Sequence, residues 1–191
     1  MDLKKLSDEE IIFLVQKNSE FFGEIIDRYE KKLDRYLARI SSISKEERED
    51  LLQDIFLAVY ENIFSFEKDE KFSSWIYRIA HNKSVDYWRK NKKREGEISV
   101  DEHLFFVESQ FWKKDVEDEI QKIENKELLE KLFQKLDLKY REIFVLRFEE
   151  EKSYDEISEI LKIPKSTVGV WLNRARKQLQ KEYLKIKEKY E

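Results

Sequence analysis

Hydrophobic positions in the first half of the chain recur at helical spacing. A short first set consists of Ile11, Ile12, Leu14 and Val15. A longer second set predicts a helix whose inner face carries Phe22, Ile25, Ile26, Tyr29, Leu33, Tyr36, Leu37 and Ile40. A third helix is predicted from about Lys45 to Phe64 and a fourth from Phe72 to Arg94. These four helices can share one core.

Two serines are placed to start helices. Ser7 is followed three residues later by Glu10, and Ser44 by Glu47. In this capping-box pattern the serine oxygen accepts from an otherwise unpaired amide, and the glutamate accepts from the amide of the serine. The sequence therefore predicts that the first and third helices begin directly after these serines.

The second half shows a helix followed by shorter helical segments. The apolar series that marks the long helix is Val116, Ile120, Ile123, Leu128, Leu129, Leu132 and Leu136. After a break at residues 137–139, a further helix is marked by Ile143, Phe144, Leu146 and Phe148. The chain is thus predicted to be all-α, with no sheet.

The residues from 153 onward have the pattern of two helices across a tight turn. Ser153 and Glu156 form a third capping-box pattern, before a short helix with Ile157, Ile160 and Leu161. Lys162 to Pro164 break that helix, and a new one starts at Lys165 with an inner face of Val168, Leu172, Ala175 and Leu179. A helix-turn-helix of this kind places its second helix in the DNA major groove. Helical hairpins without a DNA function are common, so the signal alone is moderate.

Composition supports a helical protein and excludes several classes of site. Charged residues make up 42% and aromatic residues 14%, with three glycines and one proline. There is no cysteine, and two histidines are too few for an ordinary zinc site. We therefore expect no cofactor, metal or catalytic centre. No apolar run reaches membrane-spanning length, and the N-terminus lacks a signal-peptide layout, so a cytoplasmic protein is expected.

The net charge of −4 hides an uneven distribution of charge. Residues 95–111 contain five acidic residues and no basic one, whereas residues 165–191 contain eight basic and three acidic residues. A basic cluster also ends the fourth helix, at Lys92, Lys93 and Arg94. A single charge run is usually a solvated face, but two cationic helices that flank an acidic connector favour nucleic acid.

The fourth helix combines rings, amides and cations. Aromatic rings can stack on unpaired bases, Asn82 can read base edges, and the basic residues can neutralise phosphates. The alternative is a core helix with a solvated cationic end.

The third helix is amphipathic in a different way: Leu51, Ile55, Ala58 and Val59 can face the core, while Gln53, Asp54 and Leu57 form an outer patch suited to a partner protein.

Three segments in this order resemble the bacterial sigma factors of the sigma-70 family, specifically the compact extracytoplasmic-function group. The family pattern of an Asp-Leu-hydrophobic-Gln-acidic helix is matched from Asp50 to Phe56. Its Phe-x-x-Trp-hydrophobic-Tyr-Arg-Ile-Ala-x-Asn helix is matched from Phe72 to Asn82, and its helix-turn-helix ending in Arg-Ala-Arg from Ser153 to Arg176. The resemblance covers nearly the whole chain.

The resemblance implies two small helical domains joined by a flexible acidic linker. Residues 1–94 would dock on core RNA polymerase and recognise and melt the minus-ten element, residues 95–111 would be the linker, and residues 112–191 would recognise the minus-thirty-five element. The implied partners are the clamp helices of the beta-prime subunit, the beta flap and promoter DNA, and related proteins are commonly held inactive by an anti-sigma factor. No membrane insertion is implied, and the free protein is expected to be a monomer.

The resemblance also assigns candidate residues to each interface. Those expected to meet the polymerase are Asp50, Leu51, Gln53, Asp54, Phe56 and Leu57. Those expected at the minus-ten element are Phe66, Lys68, Lys71, Ser73, Trp75, Arg78, Asn82, Lys83, Asp86, Arg89 and Lys90, with Trp75 supporting the preceding loop from the core. Those expected at the minus-thirty-five element are Ser153, Lys165, Ser166, Thr167, Gly169, Val170, Asn173, Arg174, Arg176 and Lys177.

The chain departs from the family pattern at two places. The loop before Phe72 usually contains a glycine, whereas residues 67–71 here read Glu-Lys-Asp-Glu-Lys, so the identity of the extruded base cannot be transferred. On the recognition helix, Gly169, Val170 and Trp171 replace residues that often donate hydrogen bonds. Reading of thymine methyl groups or of DNA shape would then replace part of the bidentate readout, unless Trp171 packs against the first helix of the motif and reads nothing.

One alternative to the sigma factor stays in view, and one question stays open within the sigma-factor interpretation. A helix-turn-helix regulator that never meets polymerase would explain the C-terminal half, but it leaves the Asp50 helix and the aromatic-basic helix without a role. Within the sigma-factor interpretation, the linker acids Glu95, Glu97, Asp101, Glu102 and Glu108 could imitate the charge of nucleic acid near the catalytic cleft, or form a solvated tether.

Overall fold

The computed structural model describes residues 2–67, 70–95 and 131–190, with side chains omitted for residues 92–95 and 187–190. Within these ranges every regular element is a helix, as the sequence predicts. The chain forms two compact units, one of Met1–Asp101 with Asp155–Lys162 and one of Glu102–Tyr154 with Ile163–Glu191. The predicted linker and most of the helix predicted after it lie outside the described residues, so the domain boundaries remain predictions.

Four helices form the first unit. They are α1 (Asp8–Lys17), α2 (Phe22–Ile40), α3 (Lys45–Asn62) and α4 (Phe72–Glu95), with short 3-10 turns at Leu3–Lys5, Ser19–Phe21 and Ile63–Ser65. Both predicted capping boxes at their starts are confirmed. The Glu10 amide donates to Ser7 Oγ over 3.2 Å and the Ser7 amide to Glu10 Oε2 over 2.7 Å. Satisfying two amides at each helix start fixes where α1 and α3 begin.

The core of the first unit is aliphatic at its centre and aromatic at its edges. Ile25, Leu33, Leu37, Ile55 and Val59 have no exposed surface. The Tyr36 and Tyr77 rings meet edge to face at 5.2 Å between centroids, which packs α2 against α4. Arg28 on α2 donates to Asp8 on α1 over 2.8 Å and to the Leu3 carbonyl over 2.6 Å, so the N-terminal turn is tied to the bundle.

The second unit contains α5 (Leu138–Phe148) and the long α7 (Lys165–Tyr190), and residues 131–134 are also helical. The break before α5 ends at Asp137, not at Lys139 as predicted, because the Asp137 carbonyl already accepts the Tyr140 and Arg141 amides, both at 2.9 Å. The core of this unit includes Leu132, Ile143, Leu146, Val168, Leu172, Ala175 and Leu179. The predicted inner face of α7 is therefore confirmed.

The helix-turn-helix consists of α6 (Tyr154–Leu161), the turn Lys162–Pro164 and the start of α7. Lys162 has a φ of 53°, the left-handed conformation that commonly ends a helix. The Pro164 carbonyl then accepts from the Thr167 amide over 2.8 Å and from the Val168 amide over 3.2 Å. Proline thus stands just outside α7, where its missing N–H costs nothing.

Candidate nucleic-acid and protein interfaces

The outer face of α3 carries four of the six residues predicted to meet a partner protein. Asp50, Gln53, Asp54 and Leu57 are exposed, Leu57 to 55%. Their spacing of three and four residues places them along one side of the helix. Leu51 and Phe56, with 4% and 9% exposed, belong to the core instead. Side chains buried in this way hold the helix in place, and their predicted contact with a partner stays a prediction.

The same face of α3 continues into apolar side chains that the sequence analysis did not single out. Tyr60 is 44% exposed and Phe64, in the 3-10 turn after α3, is 74% exposed. The Tyr60 ring meets Phe22 edge to face at 5.1 Å. The spacing of positions 57, 60 and 64 was visible in the sequence, but it did not distinguish an exposed apolar row from a buried one.

A cluster of buried rings supports the segment between α3 and α4. Phe66, Phe72 and Trp75 have centroids 5.6 Å apart in each pairing, and Tyr29 lies 5.5 Å from Phe72. Phe66 and Trp75 are 9% and 5% exposed, and Phe72 is fully buried. Trp75 therefore supports this segment from the core, as expected. Phe72, Trp75 and the buried Tyr77 are packed in the core and cannot stack on bases, whereas Tyr87 and Trp88 further along α4 are half-buried.

An ion pair joins Glu70, just before α4, to Arg78 on α4. Arg78 Nη1 and Nη2 donate to Glu70 Oε1 and Oε2 over 3.1 and 2.9 Å. Lys71 is exposed and Ser73 is half-buried. Lys68, also predicted to approach DNA, lies outside the described residues. Arg78 was predicted as a DNA contact, but its guanidinium already faces a carboxylate of this chain.

Further along α4, polar and basic side chains lie on one exposed side. Asn82, Asp86, Arg89 and Lys90 are exposed at spacings of four, three and one residues, and Lys83 is half-buried beside them. Arg89 Nη1 approaches Asp86 Oδ1 at 3.7 Å, with both side chains mostly in solvent. Such an exposed pair is weak and can be exchanged for a phosphate contact. The predicted amide-and-cation face is thus present on the helix.

A hydrogen bond joins α4 to the start of α3. The Tyr87 hydroxyl donates to Glu47 Oε1 over 2.6 Å, while Glu47 Oε2 accepts from the Ser44 amide over 2.8 Å. The bond from Tyr87 lowers the pKa of Glu47, and burial, followed by this same bond, raises the pKa of Tyr87. One carboxylate therefore caps α3 and holds it against the helix that carries Asn82.

The outer face of α7 carries the second basic surface. Lys165, Ser166, Asn173, Arg174 and Lys177 are exposed, and Ser153 before α6 is exposed as well. Thr167, Gly169 and Val170 are half-buried. A Cβ added at Gly169 would meet Tyr154 Cε2 at 3.8 Å, an ordinary contact. Exposed hydroxyl and amide groups near the helix start, followed by cations one and two turns later, match a recognition helix.

Two side chains of α7 face other parts of its own unit. Arg176 is 9% exposed, and its guanidinium lies 5.4 Å from the Phe148 ring centroid. Because it faces inward while Arg174 faces solvent, the structure gives no support to its predicted contact with DNA, and that contact stays a prediction. Trp171 is half-buried, edge-on to Tyr140 at 6.4 Å and with Lys139 Nζ 5.8 Å from its ring. Trp171 thus packs beside α5, whereas the packing alternative had it against the first helix of the motif, and reading of DNA by Trp171 stays a prediction.

The described residues contain neither a metal-ligand group nor a membrane-spanning helix. No group of three or more acidic, histidine or cysteine side chains among them could hold a metal ion. No helix within the described ranges has the length and apolarity that a membrane span requires.

Family models match both halves of the chain. The model for sigma-70 region 2 matches residues 25–94, and the model for sigma-70 region 4 matches residues 126–179. The first match contains α3 and α4 up to Arg94, and the second contains α5, α6 and α7 up to Leu179.

Similar proteins cover most of the chain. The ECF RNA polymerase sigma factor SigW of Bacillus subtilis is 35% identical over 86% of this chain and 90% of its own length. SigM of the same organism is 31% identical over 84% of this chain and 93% of its own, and the ECF sigma-E factor of Escherichia coli is 29% identical over 91% and 92%.

Solved structures show the same fold. CnrH, in complex with the cytosolic domain of CnrY, matches with a TM-score of 0.65 and 22% identity over 92% of this chain and 96% of that chain. The sigma factor RpoE of Bartonella quintana, in complex with the anti-sigma factor NepR, matches with a TM-score of 0.63 and 22% identity over 86% and 97%. Matched regions 2 and 4, and relatives above 30% identity across most of both chains, show that this protein belongs to the extracytoplasmic-function group of RNA polymerase sigma factors.

Proposed function

We propose that this sigma factor docks on core RNA polymerase through the outer face of α3. The observation that carries the proposal is the exposed row Asp50, Gln53, Asp54 and Leu57, which lies opposite the buried face of the same helix. Carboxylates and an amide beside an apolar side chain suit a partner helix with basic and apolar residues. The clamp helices of the beta-prime subunit are the partner that the family implies.

The exposed side of α4 would hold the opened minus-ten strand. Asn82 has an amide that can bond to a base edge. The DNA phosphates can be met by the cations Arg89, Lys90 and Lys83. Extruding a base costs a few kcal/mol, which contacts to the strand can offset. Because the rings of Phe66, Phe72 and Trp75 are buried, their role is to hold the segment before α4 in position rather than to stack on bases.

The start of α7 would enter the major groove of the minus-thirty-five element. Ser166, Val170 and Asn173 are nearest to base edges in this arrangement, and Lys165, Arg174 and Lys177 meet phosphates. Val170 favours contact with thymine methyl groups. The beta flap of the polymerase is the family's partner for this unit.

The protein directs core RNA polymerase to promoters and performs no catalysis of its own. It would therefore act where polymerase acts, in the cytoplasm. The two similar structures are complexes with CnrY and with the anti-sigma factor NepR. A regulatory partner of that kind is proposed for this chain as well.

Reconstitution with core polymerase tests the proposal. The full chain is mixed with core enzyme and a genomic fragment library, and RNA 5′ ends are sequenced. We expect a discrete set of start sites that is missing without the protein and that shares two upstream elements. A protein that binds DNA but never joins core enzyme or directs a start site would instead be a regulator acting without polymerase.

A pair of variants tests the docking face. Asp54→Lys reverses a charge on the exposed face of α3, and Glu30→Lys makes the same change on the exposed side of α2. We expect Asp54→Lys to weaken core binding by at least about tenfold, because a like charge then meets the basic partner face. Glu30→Lys should leave binding unchanged. Equal effects of the two changes would contradict the assignment of this face.

A further inference from the structure

One edge of α7 lies against the turn before α5 and the first residues of α5. Trp171 and Gln178 share this edge, because seven residues make about two helical turns. The Trp171 ring meets the Tyr140 ring edge to face at 6.4 Å, and Gln178 Nε2 donates to the Lys135 carbonyl over 3.2 Å. The backbone that carries the exposed Lys135 and Lys139 therefore runs alongside the recognition helix.

Hydrogen bonds and ring contacts fix this stretch of chain. Arg141 Nη2 donates to the Gln134 carbonyl over 3.0 Å and to the Leu136 carbonyl over 3.2 Å. The Leu136 side chain is 3% exposed and anchors the turn in the core. Lys139 Nζ lies 5.8 Å from the Trp171 ring centroid. A ring attracts an ammonium group without removing its charge, so Lys139 is oriented and stays a cation.

A row of cations runs along α7 beside this stretch. Arg174, Lys177 and Lys181 are exposed at spacings of three and four residues, which places them on one side of the helix. Lys185, one turn further, is paired with Glu182 and does not belong to this row. Within the described part of the chain, no carboxylate lies at ion-pair distance from the three cations of the row.

The cations of the two stretches come together near Glu182. The hydrogen bond from Lys185 lowers the pKa of Glu182, and the charges of Lys135 and Lys181 lower it as well, so both lysines lie near one carboxylate. Residues 131–140 and 165–186 contain nine basic and two acidic residues. The surface that they form together is therefore strongly positive, although the whole chain is acidic.

We propose that Lys135, Lys139 and Lys181, here called the basic flank, bind phosphates of the DNA duplex that borders the sequence read by α7. A recognition helix contacts base edges with its N-terminal residues, so its later turns leave the groove past the sugar-phosphate backbone. The basic flank continues the surface on which Arg174 and Lys177 would meet phosphates, so its role rests on the proposed function. Phosphate contacts add affinity without adding sequence preference.

The character of this surface favours DNA over an acidic protein. Charged residues, lysine included, are depleted at the centre of protein interfaces, where aromatic side chains are enriched. Here lysines form the centre, and the Trp171 ring is half-buried beside Tyr140. Leu138 and Leu184 are 38% and 49% exposed, which is ordinary for isolated apolar side chains on a protein surface.

Salt dependence of promoter binding tests the basic flank. Holoenzyme is titrated with duplex promoter fragments at several salt concentrations, for Lys135→Gln, Lys139→Gln and Lys181→Gln. We expect each variant to reduce the salt slope by about 0.9 and to weaken binding about threefold to tenfold on every promoter, with promoter preference unchanged. Lys31→Gln, which removes the same charge from an exposed position on α2, should change neither quantity.

Neutral phosphates in the DNA identify the ligand. Uncharged methylphosphonates are placed singly in the duplex on either side of the sequence that α7 reads. We expect wild-type holoenzyme to lose affinity at a few of these positions, and a variant of the basic flank to lose little more at the position of its own phosphate, because the two losses share one contact. Thermal unfolding of each variant shows that the unit is intact.

Three results would overturn the proposal. They are unchanged salt slopes for the three variants, equal effects of Lys31→Gln, and losses at methylphosphonates that add fully to those of every variant. Weaker transcription with an unchanged salt slope would assign the surface to an acidic protein instead. Wild-type holoenzyme that prefers no promoter sequence would contradict the proposed function, so the two failures are distinguishable.

Discussion

Arg174 and Arg176 show how much is decided at the scale of single residues. They are two positions apart on α7, which on a helix turns their side chains in nearly opposite directions. Arg174 is exposed, whereas Arg176 is 9% exposed and lies over the Phe148 ring. The sequence motif treats them as equivalent cations, but only Arg174 is placed to meet a phosphate.

Alanine replacement should separate the two arginines. Arg174→Ala is expected to weaken promoter binding by holoenzyme and to reduce the salt slope by about 0.9, the value of one lost phosphate contact. Arg176→Ala should leave the slope unchanged and lower the free energy of unfolding by about 1–2 kcal/mol through lost packing. Binding isotherms at several salt concentrations, with thermal unfolding, measure both. A reduced slope for Arg176→Ala would contradict its assignment.

Two buried serines on α4 form a second residue-scale test. Among the described residues, Ser74 Oγ has no hydrogen-bond partner, whereas Ser84 Oγ donates to the Ala80 carbonyl over 2.8 Å. A buried hydroxyl without a partner destabilises, so Ser74→Ala should be neutral or stabilising. We expect Ser84→Ala to unfold more easily than Ser74→Ala by about 1 kcal/mol. Denaturant titration compares them, and the reverse order would refute the prediction.

At the scale of elements, one glutamate holds the start of α3 through two separate contacts. Glu47 closes the capping box with Ser44, which the sequence predicts, and also accepts the Tyr87 hydroxyl from α4, which it does not. The two bonds use different oxygens of one carboxylate. The helix proposed to meet polymerase is thereby linked to the helix proposed to hold the opened strand.

Removal of the Tyr87 hydroxyl should change the titration of Glu47. The lowered pKa of Glu47 means that folding favours the ionised carboxylate. This contribution to the stability of the folded state is present at neutral pH and is lost as the pH falls through the lowered pKa. Tyr87→Phe should therefore raise the pKa of Glu47 toward its ordinary range. NMR titration of the side-chain carboxyl carbon measures this. Tyr60→Phe serves as the control, and a shift of equal size in that variant would contradict the role of Tyr87.

At the scale of the whole molecule, an acidic protein is expected to bind an acidic polymer. The net charge is −4 and the isoelectric point about 5.6, while α4 and α7 each carry exposed cations, namely Arg89 and Lys90 on α4 and Lys165, Arg174, Lys177, Lys181 and Lys185 on α7. Local patches can attract phosphate, but the remaining surface repels it. Binding to a promoter thus needs a scaffold that presents both patches together, and this agrees with a factor that works on core polymerase.

The free protein should accordingly bind duplex promoter DNA weakly. We expect its affinity to be at least about a hundredfold below that of holoenzyme at physiological salt, because net repulsion offsets the few phosphate contacts of α7. Fluorescence anisotropy with a labelled promoter, with and without core enzyme, makes the comparison. Equal affinities would favour a regulator that acts without polymerase.

The sequence by itself determined the helices, their caps and the family. Apolar spacing and the serine–glutamate pairs are local signals, so α1 to α4 and the inner face of α7 followed from them, as did the outward direction of Gln53, Asp54 and Leu57. Only the tertiary structure decided which cations and rings remain free. Arg78 meets Glu70 eight residues away, Arg176 meets Phe148, and Trp75 joins Phe66, because a side chain's partner depends on how helices pack and not on the order of residues within one helix.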